Sequence, residues 1–382
     1  MCGALELSRE SHKNSDTDSF EAEHNLSQSI DHKLSHQWEE CNEKAPPYDY
    51  VASMPGKEIR RQLLNALNHW FQVDEISSNI IAETVTMMHN ASLLIDDIQD
   101  NSQLRRGFPS AHQVYGVAQT INSANYVYFQ AQQHLLQHLP KGGGVEEAAI
   151  IRIFNEEMLN LHRGQGMELY WRDTMQLPPS EAEYLQMVSN KTGGLFRLIL
   201  RLLRVMSPVE HVMAVNVDVI SKVVDVMGLQ FQILDDLKNI CDEKMAKQKG
   251  FFDDLTEGKF SYPIAHAIWK EKNHNTPPSP ENSSSERKHL LIEFLAMRTQ
   301  DNTIKIEAIQ CLQRAGSLNH TKQVLKTLDQ RARFLMGEVG VKNPLLEKVL
   351  DQLVDGLGRM DVGSQLSVEE GGRLTSLKQE SS

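Results

Sequence analysis

Cysteine is scarce and scattered in this chain: Cys2, Cys41, Cys241 and Cys311 are the only four in 382 residues, and none forms a short paired spacing. That distribution excludes a zinc ribbon or finger and a disulfide framework, and it fits a reducing, cytoplasmic setting. No apolar run is long enough to span a bilayer, and the N-terminus lacks the apolar core of a secretory signal, so no transmembrane segment is expected. Positive charge is also in short supply. The formal net charge of -12 argues against nucleic acid as a partner and makes any local gathering of Arg or Lys informative. Strand-like alternation of apolar and polar residues is missing too, which leaves helix as the expected structure. With 40% hydrophobic residues, the chain has ample material for a large core.

Residues 1 to 45 are dominated by Ser, Glu, Asp, His, Asn and Lys, too polar to offset the entropy of ordering, and read as a disordered extension. A helical pattern runs from Lys57 through Phe71, and a longer one from Glu75 to Asp100 carries Ile76, Ile80, Met87, Ala91, Leu94 and Ile98 as a buried stripe. Further helices are expected at Ile121 to Leu139, Val145 to about Arg172, Leu195 to Met206, Val217 to Glu243 and, in pieces, Lys288 to Leu357. Arg197, Arg201 and Arg204 lie at helical spacing between leucines, either a membrane-surface face or an arginine face of a globular helix. Residues 273–288, rich in Asn, Pro and Ser, read as a disordered surface loop, and 361–382 as a flexible tail, leaving 46–360 as one helical domain.

Two of these helices end in carboxylates. Asp96, Asp97 and Asp100 close the first, with Asp96 and Asp100 on one face; Asp235, Asp236, Asn239, Asp242 and Glu243 close the second. Three like charges on one short arc stay ionised together only when water or a cation screens them, and Mg2+ is commonly held by one or two carboxylates plus substrate phosphates. A solvated helix end is the plain alternative. Arg105 and Arg106 follow the first cluster directly, however, and arginines contact phosphate oxygens bidentately, so carboxylates and arginines together describe a metal-diphosphate site. Lys57, Arg60 and Arg61 oppose the dipole at a helix start, a poor choice for stability and a good one for an anion, although a solvated basic face explains them equally. His89, alone on an apolar helix, suits a core residue as well as a ligand. Gln232, Asp236, Asn239 and Glu243 share a helical stripe, and Lys249, Gly250, Asp253, Asp254, Gly258 and Lys259 form a polar loop able to close over the site. The two acidic ends together suggest an all-α bundle that opens at one end into this site.

In these motifs, and in Leu161 to Gly166, Lys191 with Thr192, and Phe231 to Asp236, the chain resembles the trans-prenyltransferases, most closely the eukaryotic, fungal-type geranylgeranyl diphosphate synthases. The resemblance implies a single-domain bundle of the isoprenoid synthase type with a central apolar cavity, working as a homo-oligomer with three Mg2+ ions per active site. It implies that Asp96 and Asp100 bind metal, that Asp97, Asp235 and Asp236 complete the catalytic acids, and that Lys57, Arg60, His89 and Arg106 hold isopentenyl diphosphate. Arg105, Lys191, Thr192, Gln232, Asn239, Lys249 and Lys259 would contact the allylic diphosphate, whether dimethylallyl, geranyl or farnesyl. Leu234 and Leu237 depart from the Arg and Tyr often found in relatives beside the second aspartate pair.

The product would grow down the apolar interior beside the Asp96 helix, where the small Ala91 and Ser92, one turn before Asp96, leave the shaft open; relatives that stop at fifteen carbons carry aromatics there. A lower floor of Tyr128, Phe129 and His162 is implied by the same resemblance, giving a twenty-carbon product, although both aromatics also suit an ordinary core. Two rival functions stand beside this one. A class I terpene cyclase nearly matches the Asp235, Asp236, Asn239, Glu243 pattern but has no use for a second diphosphate site, and a non-catalytic synthase subunit would not need both acidic clusters.

Overall fold

The computed structural model describes residues 46–56, 58–140, 146–175, 178–274, 290–355 and 357, with two short strands at 366–368 and 374–376. The fold is all-α. Its helices are α1 (Pro46–Ala52), α2 (Ile59–Phe71), α3 (Glu75–Gln99), and, after a small hairpin of β1 (Leu104–Arg105) and β2 (Phe108–Pro109), α4 (Ala111–Tyr115), α5 (Val117–His138) and α6 (Glu147–Thr174). There follow α7 (Glu181–Lys191), α8 (Gly193–Met206), α9 (Val209–Ala214), α10 (Val217–Cys241), α11 (Glu243–Gln248), α12 (Asp253–Glu257) and α13 (Tyr262–His274). The chain then continues through α14 (Leu290–Met297), α15 (Asn302–Arg314), α16 (Ser317–Glu338) and α17 (Pro344–Val354), with a second antiparallel pair, β3 (Leu366–Val368) and β4 (Leu374–Ser376), beyond. The expected extension at 1–45 and Lys57 lie outside the described residues, as does all of the 273–288 loop but its first two residues, which end α13.

The core is built on α8, whose Leu195, Phe196, Leu198, Ile199, Leu200, Leu202 and Leu203 are all buried among α3, α6 and α10. Each such side chain contributes about 1.5–3 kcal/mol of transfer free energy. Two of its arginines face α6, with Arg197 Nε 3.1 Å from Glu157 Oε2 and Arg201 Nη1 2.9 Å from Glu157 Oε1, while Arg204 is exposed. That pairing is why a buried helix tolerates an arginine row, and it assigns the row to the globular alternative. A smaller cluster of Val51, Ala91, Leu94, Ala111, Ala124, Val127 and Tyr128 seats α1 against α3 and α5.

Three expectations need correction. Ile76 is 69% exposed, because it lies on the outer side of a first turn whose Ser77 and Ser78 are the residues turned inward. The α10 helix stops at Cys241 rather than Glu243: Asp242 leaves helical geometry and its Oδ1 accepts from the Lys244 N–H at 2.8 Å, starting α11. Aspartate competes well for that capping position, so the stripe along α10 ends at Asn239. Lastly, the basic loop after Asp100 is a hairpin: Arg105 pairs with Phe108, and Arg106 and Gly107 have φ of 55° and 87°, the two positive values a tight I′ turn requires.

Candidate active site

The end of α3 presents its three carboxylates to three different partners. Asp97 is buried and takes Arg105 in a fork, with Nε at 2.9 and 3.1 Å from its two oxygens and Nη2 closer still. Burial would disfavour the Arg105 charge, but Asp97 and Asp96 hold the guanidinium firmly ionised. Asp96 accepts from Lys191 Nζ at 3.2 Å and Gln165 Nε2 at 3.3 Å. Burial would raise its carboxyl, yet Lys191, Arg105, Lys249 and Lys259 outweigh that and keep it well below the usual carboxylate range. Asp100 accepts from Arg172 Nη1 at 2.9 Å, and here burial, then the charges of Glu257 and Asp96, push its carboxyl well up.

Asp96 and Asp100, one turn apart at the end of α3, are oxygen donors of the kind a hard divalent cation takes, and a cation there would relieve their like-charge repulsion. Among the described residues no three His, Cys, Asp or Glu side chains already converge as a cage. Such a donor set matches Mg2+ shared between carboxylates and a ligand's phosphates better than a cation enclosed by protein alone.

A continuous path of contacts runs from Asp96 to the second acidic helix. Lys191 also pairs with Glu168 Oε2, whose other oxygen lies 3.7 Å from Lys259 Nζ; Lys259 in turn lies 3.4 Å from Asp236 Oδ1. Asp236 accepts from Gln232 Nε2 at 2.9 Å, the Tyr262 N–H at 2.8 Å and the Tyr184 hydroxyl, and Thr192 Oγ1 donates to Gln232 Oε1 at 2.6 Å. Gly164 makes this possible, since a Cβ there would stand 2.4 Å from the Lys191 backbone nitrogen and would force α6 and α7 apart. Asn239 accepts from the Asp254 N–H at 3.1 Å, while Lys249 Nζ pairs with Glu257 at 2.6 Å. The polar loop thus already sits against both acidic ends.

Opposite them stands a group of cations without matching acids. Arg60 lies 5.7 Å over the Phe231 ring, its Nε is buried without a hydrogen-bond partner, and burial, with Arg106 nearby, pulls it down to about 10 despite Asp235. Arg106 donates from Nη1 to Met54 O at 2.8 Å. Burial, then Arg60, Arg106 and Arg105, drive His89 well below its ordinary value, so the imidazole is neutral. With Arg105 engaged by Asp97, Arg60 and Arg106 are left beside a neutral histidine, an arrangement able to receive an anion.

Asp235 and Asp236, neighbours in sequence, differ sharply: Asp235 is exposed at the mouth, Asp236 is 1% exposed and fully engaged. Gln165 lies within the Leu161 to Gly166 run, and Glu168 and Arg172 continue its face at steps of three and four residues along α6, a spacing that is the sequence's only pointer to them. Glu257 and Tyr184 carried no signal at all. Of the floor residues, Tyr128 is buried and packs edge-on against His162 at 5.8 Å, but His162 itself is largely exposed. Phe129 is 74% exposed on the outside of α5 and therefore is not a floor within this chain. Ala91 is sealed into the smaller cluster with Tyr128, whereas Ser92 is partly open and its hydroxyl donates to His89 O at 2.7 Å.

Comparison with known proteins is consistent with this arrangement. The polyprenyl synthetase family profile matches residues 42–311. A geranylgeranyl pyrophosphate synthase of Emericella nidulans is 54% identical over 338 residues, covering 87% of this chain and 78% of the relative. Geranylgeranyl pyrophosphate synthase D of Phomopsis amygdali is 48% identical over 302 residues, 78% of this chain and 65% of its own. Geranylgeranyl pyrophosphate synthase 1 of Zymoseptoria tritici is 48% identical over 295 residues, 77% and 80% of the two chains.

Proposed function

The chain belongs to the polyprenyl synthetase family, and from that premise we propose that it condenses isopentenyl diphosphate with dimethylallyl, geranyl or farnesyl diphosphate, head to tail, to give geranylgeranyl diphosphate. The observation that carries the reading is the pairing of two anion sites of unlike build. One mixes carboxylates with Lys191, Lys249 and Lys259; the other gathers Arg60, Arg106 and His89 with few acids. A cyclase acting on one diphosphate has no use for the second. Residues 46–360 form the synthase domain, acting as a cytoplasmic homo-oligomer whose contact surface includes the exposed apolar side chains Val117, Ile121 and Phe129 of α5.

The chemistry follows from the charges. Breaking the allylic C–O bond leaves a delocalised carbocation and a highly charged diphosphate, so stabilising the leaving group lowers the barrier. Lys191, Lys249 and Lys259 do this from fixed positions set by Glu168, Glu257 and Asp236. Mg2+ held by Asp96 and Asp100 would supply further Lewis-acid stabilisation of the same diphosphate. Arg60, Arg106 and the neutral His89 hold isopentenyl diphosphate, and Lys57 is read as part of the same grip. The double bond of isopentenyl diphosphate then attacks the cation, and the new cation gives its proton to the released diphosphate to restore an alkene, with apolar walls excluding water and alignment contributing most of the remaining rate.

Incubating the purified protein with Mg2+, isopentenyl diphosphate and each allylic starter, with products identified by mass, tests the reading. A twenty-carbon diphosphate is expected from all three starters. Conversion of a single allylic diphosphate to hydrocarbon without isopentenyl diphosphate would overturn it in favour of the cyclase.

A further inference from the structure

Arg172 is assigned to neither diphosphate, yet it is buried against the metal-side carboxylate. Its Nη1 donates to Asp100 Oδ1 and to Gln99 O, both at 2.9 Å, and its Nε donates to Asp173 Oδ1 at 3.0 Å. Gln99 O belongs to the last turn of α3, where carbonyls lack helical partners and the dipole favours a cation. Asp173 then accepts from Arg298 Nη2 at 2.9 Å, and that nitrogen also reaches Arg172 O at 3.3 Å. Arg298, at φ 45°, is held in the left-handed region in the turn after α14. A Cβ on Gly258 would stand 3.3 Å from Arg298 Nε, so this side chain lies directly against the residue that precedes Lys259. A further hydrogen bond, Thr256 Oγ1 to Thr299 O at 3.2 Å, ties the same two segments.

We infer that Arg172 is a positioning residue for Asp100, and that Arg172, Asp173 and Arg298 form an ion-pair relay coupling the Asp100 carboxylate to the segment carrying Lys259. The inference rests on the proposed prenyl condensation. Capping α3 needs only the bond to Gln99 O. The additional bond fixes one oxygen of a carboxylate that Asp96 and Glu257 repel, so the guanidinium sets where that carboxylate stands when cation and diphosphate arrive. The relay's far end is exposed, Asp173 by 56% and Arg298 by 47% of their side chains, so its individual links are weak while the Arg172 to Asp100 link is strong.

The test uses the full chain with Mg2+ and inorganic pyrophosphate as the probe, reading the rise in melting temperature they cause, alongside steady-state kinetics. Arg172→Gln is expected to raise the Mg2+ concentration for half-maximal rate and the allylic KM about ten-fold, leaving the isopentenyl diphosphate KM within about two-fold. Arg172→Lys keeps charge without the fork and falls between. Asp173→Asn and Arg298→Gln, remote from both ligands, each shift the same quantities by about two- to five-fold, and the double variant is no worse than the more severe single. Should Arg172→Gln fail to fold, the two remote variants decide alone. The relay is overturned if they lower the melting temperature of the free protein but leave the Mg2+-pyrophosphate increment and Mg2+ dependence at parent values, or if the isopentenyl diphosphate KM moves as far as the allylic one. The increment judges the relay even if the parent forms no prenyl product, an outcome that would sink the proposed function instead.

Discussion

Asp235 and Asp236 are adjacent, identical in type and equally implicated by sequence, so substituting each by alanine makes a sharp test of the site's construction. Asp236 is 1% exposed and accepts from the Tyr184 hydroxyl, the Tyr262 N–H and Gln232 Nε2, with Lys259 Nζ 3.4 Å away. Removing it orphans a buried hydroxyl and a buried N–H at the start of α13 and takes one acid from Lys259, which keeps Glu168 and Asp254. Breaking a buried, hydrogen-bonded charge pair from one side costs about 3–5 kcal/mol. Unfolding entropy scales with length, and for a folded region of this size that loss corresponds to a fall of roughly 5 to 8 °C in melting temperature. Asp235 is exposed and makes no hydrogen bond or close ion pair among the described residues, its charge being felt by Arg60, so Asp235→Ala is expected to stay within about 1 °C of the parent, as surface substitutions do. Its cost should appear only in catalysis, as a fall in kcat with Mg2+ and both substrates saturating. Calorimetry of the ligand-free variants, run at one scan rate, gives the first quantity and product formation the second. Equal melting temperatures for the two variants would refute the division into a structural and a reactive aspartate.

Replacing Arg60 by methionine should keep the melting temperature of the free protein at or above that of the parent, since it removes a desolvated charge whose Nε has no hydrogen-bond partner among the described residues, while raising the isopentenyl diphosphate KM at least ten-fold; a clear loss of stability would show that the arginine serves the fold. His89 has its folded value depressed below the ordinary 6.5, so it contributes stability in full above that pH and loses it as pH falls below 6.5 toward the folded value. The parent should therefore lose more stability than His89→Gln between pH 7 and about 5.5, and added pyrophosphate should shrink the gap; parallel pH profiles would refute this. Ser92→Phe should shift the product to fifteen carbons, because Ser92 stands about 40° around α3 from Asp96 whereas Ala91 stands about 140° away. Ala91→Phe should chiefly lower the melting temperature by overpacking the cluster of Val51, Ala124 and Tyr128, and an unchanged product from Ser92→Phe would move the floor elsewhere.

What was legible in the sequence followed from local geometry. Helix periodicity located the long helices to within a few residues, and Asp96 and Asp100 stood on one face because spacing along a helix is fixed by its pitch. The Arg105 and Arg106 pair drew attention to an anion because it lies only five and six residues beyond Asp100, but spacing could not show that Arg105 is taken up by Asp97. Contacts across elements left no such trace. Nothing local to Tyr184 says that its hydroxyl meets a carboxylate 52 residues away, and Glu168 acquires meaning only once Gly164 lets α6 approach Lys191 closely enough to share it. Burial was equally hidden: Ile76 and Phe129 fit the apolar stripes of their helices, but whether a stripe meets a neighbour depends on where that neighbour ends. The division between Asp235 and Asp236 is the clearest case. A rotation of about 100° per residue turns one carboxylate into the bundle and leaves the other exposed, so two letters that look interchangeable differ in whether a ligand could reach them. An acidic motif read from sequence therefore counts the charges available to a site, and only the neighbours of each carboxylate decide which of them remain free to meet a ligand.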